Sequence, residues 1–120
     1  MTFQDWLQSI CITEKPHKSI IAYNVGIFES VDGYMVYLIG SKEFDEEDSD
    51  WATNEDFIPK NKYYRLPKQE FKDMKWDEVQ TKIEQMLKDF INSDTFKRSF
   101  FSEAKAITTG FDDGDLIRVK

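Results

Sequence analysis

The sequence predicts an α+β domain: an antiparallel sheet of about five strands with helices packed on one face. Three observations carry this. Apolar residues recur at three- and four-residue spacing near the N-terminus and again between residues 74 and 91, which is the period of amphipathic helices. Residues 19–28 alternate in the two-residue period of a half-buried strand. Two turn sequences, Ser30-Val31-Asp32-Gly33 and Asp112-Asp113-Gly114-Asp115, each separate two strand-like runs, which is the order of a hairpin.

The first element is a short helix over residues 3–12, with Phe3, Trp6, Leu7 and Ile10 on one face and Thr2 as its N-cap. Pro16 prevents its continuation. In the strand that follows, Ile21, Tyr23, Val25 and Ile27 share one face. Ala22, Asn24 and Gly26 share the other. That second face is so small that a helix or ligand could approach it closely. The run Tyr34 to Ile39 is almost continuously apolar, as expected of a central strand.

Residues 43–56 hold eight carboxylates, Glu43, Asp45, Glu46, Glu47, Asp48, Asp50, Glu55 and Asp56. So many like charges resist packing, and the segment reads as a solvated loop with an exposed Trp51 in its middle. Tyr63 to Leu66 reads as a short edge strand between prolines. Trp76, Val79, Ile83, Met86, Leu87 and Phe90 trace the stripe of a helix over 74–91, braced by Glu78/Lys82 and Glu84/Lys88 pairs. Ser93 caps a further short helix bearing Phe96, Phe100 and Phe101. Ala106 to Phe111 and Leu116 to Val119 form the last hairpin. A type I′ turn at Asp113-Gly114 would set Asp112 opposite Asp115 and Phe111 opposite Leu116.

The 120 residues form a single domain, residues 1–120, with aromatics at 15% of the chain, enough for one sizeable core. No basic n-region followed by an apolar core opens the chain, and no run of about 18 apolar residues occurs, which argues against secretion and membrane spanning. Cys11 is alone, so no intrachain disulfide forms, and the expected compartment is the cytoplasm.

Enzyme signatures are lacking. Cys11 and His17 are separated by Lys15-Pro16, no P-loop or dinucleotide fingerprint is present, and no serine sits in a nucleophile elbow. No catalytic residue, metal site or cofactor is assigned. Asp45, Glu47, Ser49 and Asp56 fall at positions 1, 3, 5 and 12 of a calcium-loop register, but Asp50 stands where that loop needs glycine and the flanks are not helical. The formal net charge of −7 repels phosphate backbones. Lys60, Lys62 and Arg65 among Tyr63 and Tyr64 therefore read as protection of an edge strand rather than as a nucleic-acid site.

The same charge favours a basic protein partner. The candidate contact residues are Asp45, Glu46, Glu47, Asp48, Asp50 and Trp51 of the acidic loop, with Asp112, Asp113 and Asp115 of the last turn. Two alternatives stand beside this: a small-ligand binder or enzyme using a pocket near Asn24, and a homo-oligomeric protein using exposed aromatics. The stretches YNVGIFESVDGYMVYLIGSK and ITTGFDDGDLIRVK, together with the size, acidity and lone cysteine, resemble the small acidic immunity proteins of bacterial polymorphic toxin systems. The resemblance implies neutralisation of a toxin by direct contact and assigns no residue roles.

Overall fold

In the computed structural model, which describes residues 1–120, the chain opens with helix α1 at Phe3–Thr13. Thr2 caps it through its hydroxyl, which accepts from the Asp5 amide at 3.1 Å, while the Asp5 carboxylate accepts from the Thr2 amide at 3.0 Å. Strands β1 (Ala22–Ser30) and β2 (Gly33–Ser41) form the first hairpin. Gly33 closes its turn at a φ of 120°, a conformation that side chains other than glycine's strain to adopt. Strand β3 is Tyr63–Arg65, and helices α2 (Lys68–Phe71), α3 (Trp76–Ile91) and α4 (Asp94–Lys97) follow, the last capped by Ser93 as its sequence predicts but bearing only Phe96, since Phe100 and Phe101 lie on a separate 3-10 turn, Phe100–Glu103, capped by Ser99. Strands β4 (Ala106–Phe111) and β5 (Ile117–Arg118) end the chain.

The class is α+β: one five-stranded sheet in the order β3-β2-β1-β4-β5, mostly antiparallel, with helices. One neighbour relation departs from a purely antiparallel sheet. β4 lies parallel to β1, pairing Ala22 with Ala106 and Gly26 with Gly110, because the chain crosses the sheet as α3 and α4 before returning. That makes β1 the middle strand, with β2 between it and the short edge strand β3.

A cluster of 21 buried residues fills the space between the sheet and the helices. The sheet supplies Tyr23, Val25, Ile27, Val36, Leu38 and Ile107, and the helices supply Phe3, Trp6, Leu7, Ile10, Val79, Ile83, Leu87, Phe90 and Phe96. Trp6 stacks on Tyr64 at 5.8 Å and donates its indole N–H to the Asn61 carbonyl at 2.8 Å, which ties α1 to the edge strand. Trp76 does not join this core. It stands at the start of α3, 62% exposed, touching Phe111 edge-on at 6.2 Å. Its place in the stripe falls at the first residue of α3, where the ring meets the last residue of β4 and is otherwise left to solvent.

One predicted ion pair on α3 forms, Glu84 with Lys88 at 2.7 Å. The other does not. Lys82 turns to Glu70 of α2 at 3.1 Å and lies over the Phe71 ring, while Glu78 accepts from the Lys75 amide.

The last turn also differs from its predicted form. Thr108 pairs with Arg118 and Thr109 with Ile117, one residue out of the register that an Asp113-Gly114 two-residue turn imposes. Neither of those residues has the positive φ that a type I′ turn requires. Close approach of the chain explains why position 110 is glycine: a Cβ there would stand 2.6 Å from the Asp115 carbonyl oxygen, a backbone atom that cannot swing aside.

Candidate functional site

The helix-free face of the sheet is where the sequence-predicted residues collect. Ala22, Asn24 and Gly26 of β1 lie beside Ala106, Thr108 and Gly110 of β4, a patch of small side chains. Two aromatic residues exploit it. The Tyr37 ring lies directly over Gly26, where a Cβ would meet ring carbons at 2.1–2.3 Å. The Trp51 indole packs on Ala22 and Ala106, with Phe44 edge-on at 5.3 Å.

Trp51 is therefore not the exposed anchor that its acidic surroundings suggest. It is 5% exposed, held by a 3-10 turn over Ser49–Thr53. A large apolar ring gains more by covering small residues than carboxylates lose by sitting beside it, since those remain in water. Asp45, Glu46, Glu47, Asp48 and Asp50 are all exposed. Several also hold the loop's shape. Asp48 accepts from the Asp50 amide at 3.0 Å, Asp45 from the Glu47 amide at 2.9 Å, and Glu46 is paired with Arg118 of β5.

This folding of the loop onto the sheet brings the two acidic segments together. One open cleft of about 500 Å³ is bordered by Asp45, Glu46 and Glu47 on one side and Asp115 and Arg118 on the other. A second, of about 550 Å³, has Asn24 and Gly110 at its floor, Phe28, Tyr37 and Tyr63 along one wall, and Asp50, Glu55 and Asp112 at its rim. Of the nine residues predicted to meet a partner, only Asp48 and Asp113 border neither cleft and only Trp51 is buried.

Within the second cleft the polar groups are coupled. The Tyr37 phenol donates to the Asp112 carboxylate at 2.5 Å, so Asp112 faces the sheet rather than Asp115. Lys62 pairs with Glu55 at 3.1 Å, and its ammonium lies 5.5 Å from the Tyr37 ring centre and 5.0 Å from that of Tyr63. Asn24 accepts a hydrogen bond from the Thr108 hydroxyl at 2.9 Å.

Phe28, Tyr37, Glu55, Lys62 and Tyr63 were not readable as a group. Period-two alternation does place Phe28 on the Asn24 face. Tyr37, hidden in an apolar run, and Lys62, just before the edge strand β3, reach the same place only because β2 pairs with β1 and β3.

Burial, reinforced by the Asp112 acceptor, pushes the Tyr37 phenol well above its ordinary value near 10. Burial does the same to Tyr23 in the core, with Glu103 adding to it. The unfolded chain therefore gives up these protons at a lower pH than the folded one. The stability they confer is complete below pH 10 and is lost as pH rises past 10 toward the folded values. In an alkaline titration followed at the phenolate absorbance, these two tyrosines should ionise only together with loss of the folded state. Two early, reversible ionisations at those residues would refute the assignment.

Cys11 is half-buried, and burial raises its thiol above the usual value, which disfavours the reactive thiolate. No three His, Cys, Asp or Glu side chains come together in a way that could hold a metal ion, and no helix is long and apolar enough to cross a membrane. No protein-family model, curated protein or solved structure matches the chain.

Proposed function

We propose that the protein is a non-catalytic binding protein that engages a basic protein through the helix-free face of its sheet, in the manner of the bacterial immunity proteins its sequence resembles. The observation that supports this most is the convergence of the two acidic segments. Residues 45–50 and 112–115 lie far apart in the chain and border adjoining clefts. Carboxylates that merely confer solubility have no reason to gather on one face, because like charges placed together repel. A surface of one sign instead speeds encounter with a partner of the other.

The test is kinetic. With a basic partner identified in the native host, replacing Asp45, Glu46, Glu47 and Asp48 by their amides should lower the association rate about tenfold or more at low salt, with a much smaller change in dissociation. The difference should shrink as salt is added. An association rate equal to that of the unaltered protein at low salt would place the interface elsewhere. A small-ligand reading draws support from the cleft over Asn24, whose floor and walls are concave and part aromatic.

A further inference from the structure

We propose that the cleft over Asn24 is a subsite for a basic residue of a peptide chain, with the cation taken by the aromatic wall and acidic rim and an acyl oxygen taken by the Asn24 amide. The inference deepens the proposed function by naming what the cleft would accept from a basic partner.

Three features of the cleft point to a cation. Phe28, Tyr37 and Tyr63 stand with their ring centres 6.1–6.2 Å from one another, a cluster that carries three electron-rich faces. The protein's own Lys62 already rests against two of those rings, so the wall accepts an ammonium in the geometry seen here. The rim then sets Asp50, Glu55 and Asp112 against that single lysine, leaving an excess of negative charge.

The second half rests on Asn24. The residue is 3% exposed, and its side-chain oxygen is satisfied by Thr108. Its Nδ2 donates to no protein atom, yet no fully buried side-chain nitrogen in the protein lacks a partner, so Nδ2 reaches solvent, and the cleft is where Asn24 does so. A nearly buried amide whose donor opens only into a cleft is suited to an acceptor on a ligand. A free amine has no such acceptor. An arginine or lysine within a peptide carries both groups, separated by its aliphatic stem.

The experiment uses the full chain and small probes, so it needs no partner. In an NMR titration, N-acetyl-arginine amide or N-acetyl-lysine amide should shift the Asn24 side-chain NH₂ signals saturably, while the neutral N-acetyl-glutamine amide should leave them nearly unmoved. Butylguanidine, a monocation that keeps the guanidinium and stem and lacks the acyl group, should bind several-fold more weakly than the arginine probe. Asp112→Asn, which keeps an acceptor for Tyr37, should weaken the arginine probe about fivefold, as expected for loss of one charge-assisted contact. Lys62→Met, which keeps the aliphatic stem, should tighten it about threefold by removing the competing cation. Both variants are first checked for an unchanged melting temperature.

Absence of saturable shifts at Asn24 would overturn the inference. So would weaker arginine binding in Lys62→Met, or tight binding of N-acetyl-glutamate amide that depends on Lys62, since either marks an anion site. Probe binding in this cleft without any basic partner in the host would uphold the subsite and count against the proposed function. A partner whose affinity ignores Asp112→Asn and Lys62→Met would do the reverse.

Discussion

Phe90→Ala should unfold the protein or leave it barely folded, whereas Trp76→Ala, from the same helical stripe, should change its stability little. Phe90 is 3% exposed and meets Phe96 and Phe101 edge-on at 5.9 and 6.3 Å. Truncating it removes the apolar area of a whole ring and leaves a cavity lined by two other rings, at a cost of about 3–5 kcal/mol. A small domain has only about 5–15 kcal/mol in all. The exposed Trp76 gives up one edge contact, a loss of about 1 kcal/mol. Urea unfolding of the two variants beside the parent checks both statements. Equal midpoints for Phe90→Ala and the parent, or a large drop for Trp76→Ala, would contradict the packing of α3.

Trp51→Ala should release the acidic loop from the sheet. The indole is the main apolar contact between the 3-10 turn and β1 and β4, resting on Ala22 and Ala106. Neither alanine can move to fill the space, so the cost is again about 3 kcal/mol. Its consequence is local, because the 21-residue core lies on the opposite face and does not include Trp51. Residues 43–56 would then open at lower free energy than the rest of the protein. Limited proteolysis should cut there first, and amide exchange should quicken there while α3 stays protected. Without the loop in place, the two acidic segments no longer share a face, so partner binding should weaken through disorder rather than through a lost contact. A variant that keeps loop protection and parent stability would show that the indole does not anchor the segment.

Much of the fold was legible in the chain because its signals are local. Thr2 and Ser93 cap helices wherever those helices go, since the hydrogen bonds span only three residues. The stripes of α1 and α3 and the alternation in β1 report which side of each element is apolar. Gly33 marks its turn by a backbone angle that its own lack of a Cβ permits. The small face of β1 was readable as a place of close approach, and that is where Tyr37 and Trp51 lie.

The sequence by itself thus determined most of the elements, their apolar faces, the α+β class and the acidity of the two segments, because each follows from side chains a few residues apart, whereas the short helix α2 and the 3-10 turn over Ser49–Thr53 carry no such local signal. Only the tertiary structure decided that β4 lies parallel beside β1, that Trp51 is buried while Trp76 is exposed, that Asp112 turns to Tyr37 rather than facing Asp115, and that the aromatic residues of three strands wall one cleft. Each of these depends on which distant surface arrives at a residue. An indole in an acidic segment buries itself when small side chains from two strands come within reach, and one at the start of a helical stripe stays in water when only a single ring meets it.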